Sequence, residues 1–218
     1  NLDQKTLDQQ SQYWEKNFLS KSEMFGLKPS KAALSALQTF KKENIKEVAE
    51  LGAGLGRDTI FFGKNNINIK ALDYSPTAIN EINKKVKKNN LSNKISTKIF
   101  DIRKKLPFKN MSIDACFSHM LYCMALTISD LKNLNKEVLR ILKPGGFNIF
   151  TVRHLGDGDY KNGTHRGEDL YENDGFIVHF FSKEKINEIS EGFKILEVES
   201  FEEGKFPRRL YKVTLRKR

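Results

Sequence analysis

The chain has 218 residues, enough for one substantial core and short for two. With 39% hydrophobic residues and 16 Phe it is globular rather than disordered, and no apolar run approaches the roughly 20 residues of a membrane span. The formal charge of +11 could steer an anionic partner, but the lysines are scattered and no RRM, KH or zinc-finger signature accompanies them, so nucleic acid is not the expected partner. The opening stretch "NLDQKTLDQQ" is polar and has no signal-peptide apolar region, and its start at Asn1 leaves open residues before it. Two cysteines, Cys116 and Cys123, form no CxxC pair and suit core packing in a cytoplasmic enzyme.

Two helices lead. The first, over about residues 4–19, carries Leu7, Trp14 and Phe18 at helical spacing; the second follows "KPS", with Ser30 as N-cap and Ala33, Leu34, Leu37 and Phe40 on its apolar face. Alternation then begins. "IKEVAEL" reads as a strand, "GRDTIFFGKN" as a helix, and "INIKALD" as a strand. "SPTAINEINKKVKK" is a helix with Ser75 at N-cap and Pro76 at N1. "KISTKIF" and "IDACFSH" are strands, separated by "DIRKKLPFKNMS", whose Pro107 leaves no room for a full helix. "TISDLKNLNKEVLRILK" is a helix that "PGG" stops, and "FNIFTVRH" is the next strand. This order predicts an α/β fold, a parallel sheet with helices on both faces. The last two strands, "FKILEVESF" and "RRLYKVTLR", are joined only by "EEGKFP", too short for a parallel crossover, so one strand near the C-terminal edge is antiparallel.

The chemistry concentrates at strand ends. Gly52, Gly54 and Gly56 fill the first strand-to-helix turn, where ligands approach the backbone of an open parallel sheet. Asp73 ends the second strand about 20 residues on, the position from which a carboxylate can accept two ribose hydroxyls. Asp101 ends the third strand, within reach of an adenine amino group. Glu50 places an acid ahead of the glycines, where it would repel a pyrophosphate and favour a cation. Alternatives stay open at two positions: Glu50 as the partner of a lysine, and Asp73 as a helix cap. A nicotinamide-binding fingerprint fails here, because Arg57 stands where its last glycine should permit close helix–strand packing.

Together "ELGAGLG", "ALDYS", "FDIRKKLPF", "IDACFSHMLYCM" and "LRILKPGG", in this order over residues 45–153, resemble the class I S-adenosylmethionine-dependent methyltransferases. The resemblance implies a three-layer Rossmann-like sandwich around a mostly parallel seven-stranded sheet. It implies S-adenosylmethionine as cofactor and S-adenosylhomocysteine as product. The backbone of Gly52, Ala53, Gly54 and Gly56 would lie against the methionine part, with Glu50 orienting the loop or the amino group. Asp73 would hold the ribose, Tyr74 pack on the adenine, Asp101 and Ile102 read the adenine edge, and Ser118 face the cofactor or acceptor. The chain is then a single domain, 1–218: helices over 1–43 covering the site, a cofactor core at 45–153, an acceptor-side insert or lid at 154–182, and a last helix and hairpin at 183–218.

The acceptor is narrowed by what is missing. The fourth strand ends "SHMLY" rather than the Asn/Asp-Pro-Pro-Tyr of amino-methylating DNA enzymes, there is no Pro-Cys nucleophile, and two cysteines are too few for the arsenite enzymes. A small molecule is the expected acceptor; the alternatives are an RNA or protein acceptor drawn by the basic surface, and a non-catalytic nucleoside-binding protein. Acceptor-wall candidates are Tyr13 and Trp14 in "QYWEKNF", Tyr122, Arg153 as the partner of an acidic acceptor or of Asp101 or Glu168, and His179. His119 and His154 follow strands aimed at the cofactor and are the candidate general bases, needed only if the acceptor must lose a proton. The histidines lack a ligand spacing with Glu168 or Asp169, so no metal is expected. No element fixes an oligomeric state.

Overall fold

A computed structural model of the chain describes residues 3–21 and 26–218; of the helical segment expected at 1–43, residues 1–2 and 22–25 lie outside it. The expected first helix divides into α1 (Gln4–Asp8) and α2 (Gln10–Ser20). At the junction the Gln9 N–H is shared between the Lys5 and Thr6 carbonyls, both at 3.3 Å, a tightened turn that interrupts the α ladder. Helix α3 (Lys31–Lys42) begins as predicted, with the Ser30 hydroxyl accepting the Ala33 N–H at 3.1 Å.

The core follows in alternation, broken once between β3 and β4: β1 (Glu47–Leu51), α4 (Arg57–Lys64), β2 (Asn68–Asp73), α5 (Pro76–Lys88), β3 (Ile95–Ile99), β4 (Ile113–Ser118), α6 (Ile128–Ile141) and β5 (Leu142–Arg153). The chain from β3 to β4 carries no helix, as Pro107 foretold, and Arg140 of α6 holds it through the Leu106 and Phe108 carbonyls at 2.9 and 2.8 Å. The Pro-Gly-Gly stretch does not follow the strand boundary expected of it. Helix α6 stops earlier, at Ile141, and residues 144–146 lie inside β5, whose register against β4 shifts between Ile113 and Ala115. Gly146 is needed there because a Cβ would stand 2.9 Å from the Asp114 carbonyl.

The insert forms its own sheet of β6 (Thr164–His165), β7 (Leu170–Asn173) and β8 (Phe176–His179). Asn173 pairs with Phe176 across Asp174 and Gly175, both with positive φ (51° and 80°), the two-residue turn that suits the twist of a hairpin. Helix α7 (Lys183–Ile189) then leads to β9 (Phe193–Glu203) and β10 (Arg208–Lys217).

The main sheet has seven strands in the order β3-β2-β1-β4-β5-β10-β9, parallel except at β10, which is antiparallel to both β5 and β9. This is the expected mostly parallel sheet with one reversed strand next to the edge. Successive residues point to opposite faces. Val48, Ala71, Ala115 and Ile149 pack under α3, α4 and α5, while Ala49, Leu72, Cys116 and Phe150 pack against α6 and α7, giving three layers. Strand order reverses between β1 and β4, which fixes the crevice at the carboxyl ends of these strands as the ligand site. Among the described residues no helix is long and apolar enough to cross a membrane.

Candidate active site

At that crevice the strand ends enclose a cavity of about 290 Å³, floored by the glycine loop and roofed by α1, α2 and Phe176 of β8. The roof is held at three points. The Gln10 amide brackets the hairpin, donating to the Gly175 carbonyl (2.8 Å) and accepting the Ile177 N–H (3.2 Å). Glu15 accepts from both hydroxyls at the start of α5, Ser75 and Thr77. Asp8 accepts from Arg103 at 2.6 Å. Aromatic rings seal the middle: Tyr13 stacks on Phe176 at 5.8 Å, and Trp14 meets Phe176 edge-on at 5.5 Å.

At the glycine end, Gly52, Gly54 and Gly56 all have positive φ (69°, 57° and 87°). A Cβ would lie 2.9 Å from Leu121 at Gly52 and 2.7 Å from Ile82 at Gly56, whereas at Gly54 it would meet nothing closer than Phe18 at 3.9 Å. Two of these glycines therefore permit packing, and the middle one keeps the cavity floor clear. Asp73 ties this loop to the next: its two carboxylate oxygens accept the N–H groups of Gly54 and Ser75, each at 2.9 Å. It is not the cap of α5, a task done by Ser75, whose hydroxyl accepts the Ala78 N–H at 3.0 Å. Burial raises the Asp73 carboxyl to about 6 against those hydrogen bonds. Glu50 is also buried and accepts the Thr59 hydroxyl at 2.5 Å. Burial pushes it well above the usual carboxylate range, the charges of Asp58 and Asp73 add to that, and Thr59 opposes it.

Asp101 and Ile102 form the wall at the end of β3, beside Tyr74. Burial opposes ionisation of Asp101, but Arg103, which reaches it through Nε (3.1 Å) and Nη2 (2.8 Å), holds it below its ordinary range. At the opposite end stand His119, Met120, Leu121 and Met124. Both His119 ring nitrogens are engaged: Nδ1 with the Thr151 hydroxyl at 2.8 Å, Nε2 with Glu203 at 3.1 Å. Glu203 can only accept, which assigns a ring proton to Nε2, and in the neutral ring Nδ1 then accepts from the Thr151 hydroxyl, itself the acceptor of the Met120 N–H at 2.8 Å.

Residues 48–146 match the family model of a methyltransferase domain. That stretch holds the glycine loop, Asp73 and Asp101, and with the fold it supports a class I S-adenosylmethionine-dependent methyltransferase. The cofactor this supports is S-adenosylmethionine, and the clear floor at Gly54, together with the unfilled lone pairs of Asp73, fits that group. No curated protein matches by sequence. Among solved structures with this fold, magnesium protoporphyrin IX methyltransferase from Synechocystis, with bound SAM, is 11% identical at a TM-score of 0.72, covering 100% of this chain and 99% of that one. A 1,6-didemethyltoxoflavin-N1-methyltransferase from Burkholderia thailandensis is 17% identical at 0.70, covering 97% and 86%. The 4+2 cyclase SpnF is 14% identical at 0.75, covering 97% and 96%. At these identities the likeness is one of fold, and the cyclase shows that the same frame serves other reactions.

Four expected site residues stand off the cavity wall. Ser118 is fully buried with its hydroxyl unpaired among the described residues. Tyr122 is a core residue, stacked on Phe150 at 4.1 Å and bonded to Asn135 at 2.7 Å. His154 stacks on Tyr211 at 4.3 Å and bonds to Ser200 and the Gly156 N–H; burial lowers its pKa. His179 is enclosed between the Leu126 carbonyl (2.7 Å) and Lys185 Nζ (2.8 Å), and burial, then the Lys185 charge, lowers it to about 4. It anchors the insert sheet rather than facing a ligand. Arg153 does reach the wall, yet it is buried and forked onto Asp157 (2.7 Å) and Asp159 (2.6 Å), not Asp101 or Glu168.

Sequence reasoning missed Gln10, Arg103, Phe176 and Arg208 in the wall or its supports. Arg103, two residues beyond a strand-end acid, had a readable signal in "FDIR". The Asn173–Phe176 turn also had one, in "NDG". Gln10 and Arg208 had none: Gln10 bonds to a residue 165 positions away, and Arg208 enters the wall from β10.

Proposed function

We propose that the enzyme transfers the methyl group to a small-molecule acceptor held beneath the α1–α2 roof, with all four stretches of the chain acting as one domain. The observation that carries this reading is the continuity of one cavity wall from Asp73 and the glycine loop to Met120, Met124 and Phe176. A chamber roofed by helices that Gln10, Glu15 and Asp8 hold in place suits a small acceptor better than an RNA or protein chain. The two buried, free thiols suit a reducing, cytoplasmic setting.

In this reading the Gly52–Gly56 backbone lies along the cofactor's amino-acid part, and the uncapped first turn of α4, behind Gly56, offers N–H groups to its carboxylate. Glu50 takes the ammonium group. Asp73 accepts the ribose hydroxyls, while Tyr74, Ile102 and Asp101 enclose the adenine. When bound, the sulfonium supplies an electrophilic methyl with a neutral thioether leaving group. The chain's own task is alignment and exclusion of water, which Tyr13, Trp14 and Phe176 perform from above and Met120 with Met124 from the side. His119, fixed by Thr151 and Glu203, is positioned to take a proton only if the acceptor sheds one, through Nδ1 after the Thr151 hydroxyl turns away.

Calorimetry tests the reading. S-adenosylhomocysteine should bind at one site per chain and NADH should not; the reverse selectivity would remove it.

A further inference from the structure

Four arginines touch the cavity, and their partners sort them. Arg103 is engaged by Asp101 and Asp8. Arg153 is engaged by Asp157 and Asp159. Arg57 stands 4.0 Å from Glu203, which also takes His119. Arg208 is half-buried in the wall and makes no side-chain hydrogen bond or ion pair with any described residue; Glu203, opposite it in the β9–β10 register, feels its charge.

Its place in the sheet decides which ligand it meets. Arg208 opens β10, whose antiparallel run brings its first residues to the carboxyl end of β5, with Leu210 opposite Arg153. From β1, which carries the glycine loop, to β10 is three strand spacings, roughly 14 Å. The cofactor lies at the switch between β1 and β4, so Arg208 faces the far, acceptor end. Glu203 and His119 stand on that side, and the rest of the wall away from the glycine loop is apolar or aromatic: Met120, Met124 and Phe176. Glu203 is already engaged by His119 and Arg57, so the Arg208 guanidinium is left with room for a further anion beside these walls.

We propose that the acceptor is an organic acid, an apolar or aromatic body carrying a carboxylate that pairs with Arg208, which makes this arginine the specificity-determining residue of the acceptor end. The inference rests on the methyltransferase reading above. It also reassigns the acid-binding role from Arg153, whose own carboxylates already occupy it.

The test uses the full chain saturated with S-adenosylhomocysteine, titrated by calorimetry with a panel of aromatic and aliphatic monocarboxylates, each beside its neutral amide. Phenylacetate and phenylacetamide are one such pair. The best acid should bind roughly tenfold or more tighter than its amide, the scale of one charge-assisted pair. Arg208→Gln should abolish that preference, while affinity for S-adenosylhomocysteine stays within twofold. Arg153→Gln serves as the comparison and should leave the preference in place wherever it folds. The proposal is overturned if no acid in the panel outbinds its amide, or if Arg208→Gln keeps the preference. It is equally overturned if Arg208→Gln instead weakens S-adenosylhomocysteine tenfold, since the guanidinium would then serve the cofactor's carboxylate. Failure of the wild-type chain to bind S-adenosylhomocysteine at all would remove the underlying reading and is seen before any acid is added.

Discussion

The two ends of the cavity are built by different means. At the glycine end the decisive contacts are short in sequence: Asp73 bonds to Ser75 two positions away and to Gly54 nineteen positions away. At the roofed end Gln10 holds Gly175, 165 positions away, and the wall is completed by β8 and β10. The first end is made of backbone turns that follow strands, so any chain with this fold rebuilds it in the same place. The second is made of side chains from separate segments that can change without disturbing the sheet. Cofactor binding is thus a property of the frame, and acceptor choice a property of its attachments.

The sharpest way to break this division is at Asp73. Replacing it with Ala removes the acceptor of two buried N–H groups and of the proposed ribose contacts. Affinity for S-adenosylhomocysteine should fall roughly a hundredfold, the scale of two hydrogen bonds to a charged group. Calorimetry with circular dichroism as the folding control reads it. A drop smaller than threefold would reduce Asp73 to a brace between loops.

Gly56 probes the same end through stability. At φ +87°, with a Cβ placed 2.7 Å from Ile82, Gly56→Ala strains the backbone and crowds α5 at once. Denaturant unfolding should show a loss of about 1–3 kcal/mol. Trimming the neighbour as well, with Ile82→Val, should return only part of it, because the φ cost remains. A loss below about 0.5 kcal/mol, the ordinary surface range, would mean that the loop shifts freely and does not preset the floor.

The same division explains what could be read in the sequence. Strands, helices and the caps at Ser30 and Ser75 carry local signals, and so do the glycines and strand-end acids, so the frame and the residues from Glu50 to Ile102 were legible. The reversed β10 was legible too, since "EEGKFP" is too short to cross over. Burial and partner choice were not. His154 and His179 have the composition of active-site groups, but one is stacked on Tyr211 and the other enclosed by Lys185. Arg153 looked available, and only the fold of 154–159 shows its carboxylates curling back onto it. A side chain's type announces what it can bind, and three-dimensional neighbours decide whether it is already bound.

A pH series sharpens the comparison further. Asp73 titrates at about 6 in the free protein, raised by burial from an ordinary value of 3.8. Its proton is favoured by folding, so its contribution to stability is full below 3.8 and is lost as pH rises through about 6. Ribose hydroxyls donate to the ionised form, so cofactor binding pulls the other way. S-adenosylhomocysteine affinity should be level above pH 7 and weaken toward a limit of about tenfold per pH unit below 6. Binding near pH 6 should also release protons, visible as a dependence of the calorimetric enthalpy on buffer ionisation, with Glu50 adding to the release as the cofactor's ammonium group favours its charged form. Asp73→Asn should flatten the slope. A slope that persists in Asp73→Asn would move the titration to Glu50.

The smallest effect reads the roof itself. Trp14 is the only tryptophan in the chain, and it lies in the cavity wall between Tyr13, Phe18 and Phe176. Its emission is therefore a reporter placed by the fold at the seam between frame and attachments. A ligand seated below it changes the polarity around the indole, so S-adenosylhomocysteine should produce a saturable emission change with the same midpoint as calorimetry. Phe176→Ala should enlarge solvent access and red-shift the starting emission, leaving cofactor affinity within about threefold, since the ring belongs to the acceptor end. If the midpoint agrees but Phe176→Ala costs the cofactor tenfold or more, the two ends are coupled through the roof. If binding leaves Trp14 unchanged, the roof does not lie over the cofactor, and the roofed chamber on which the small acceptor depends has to be given up.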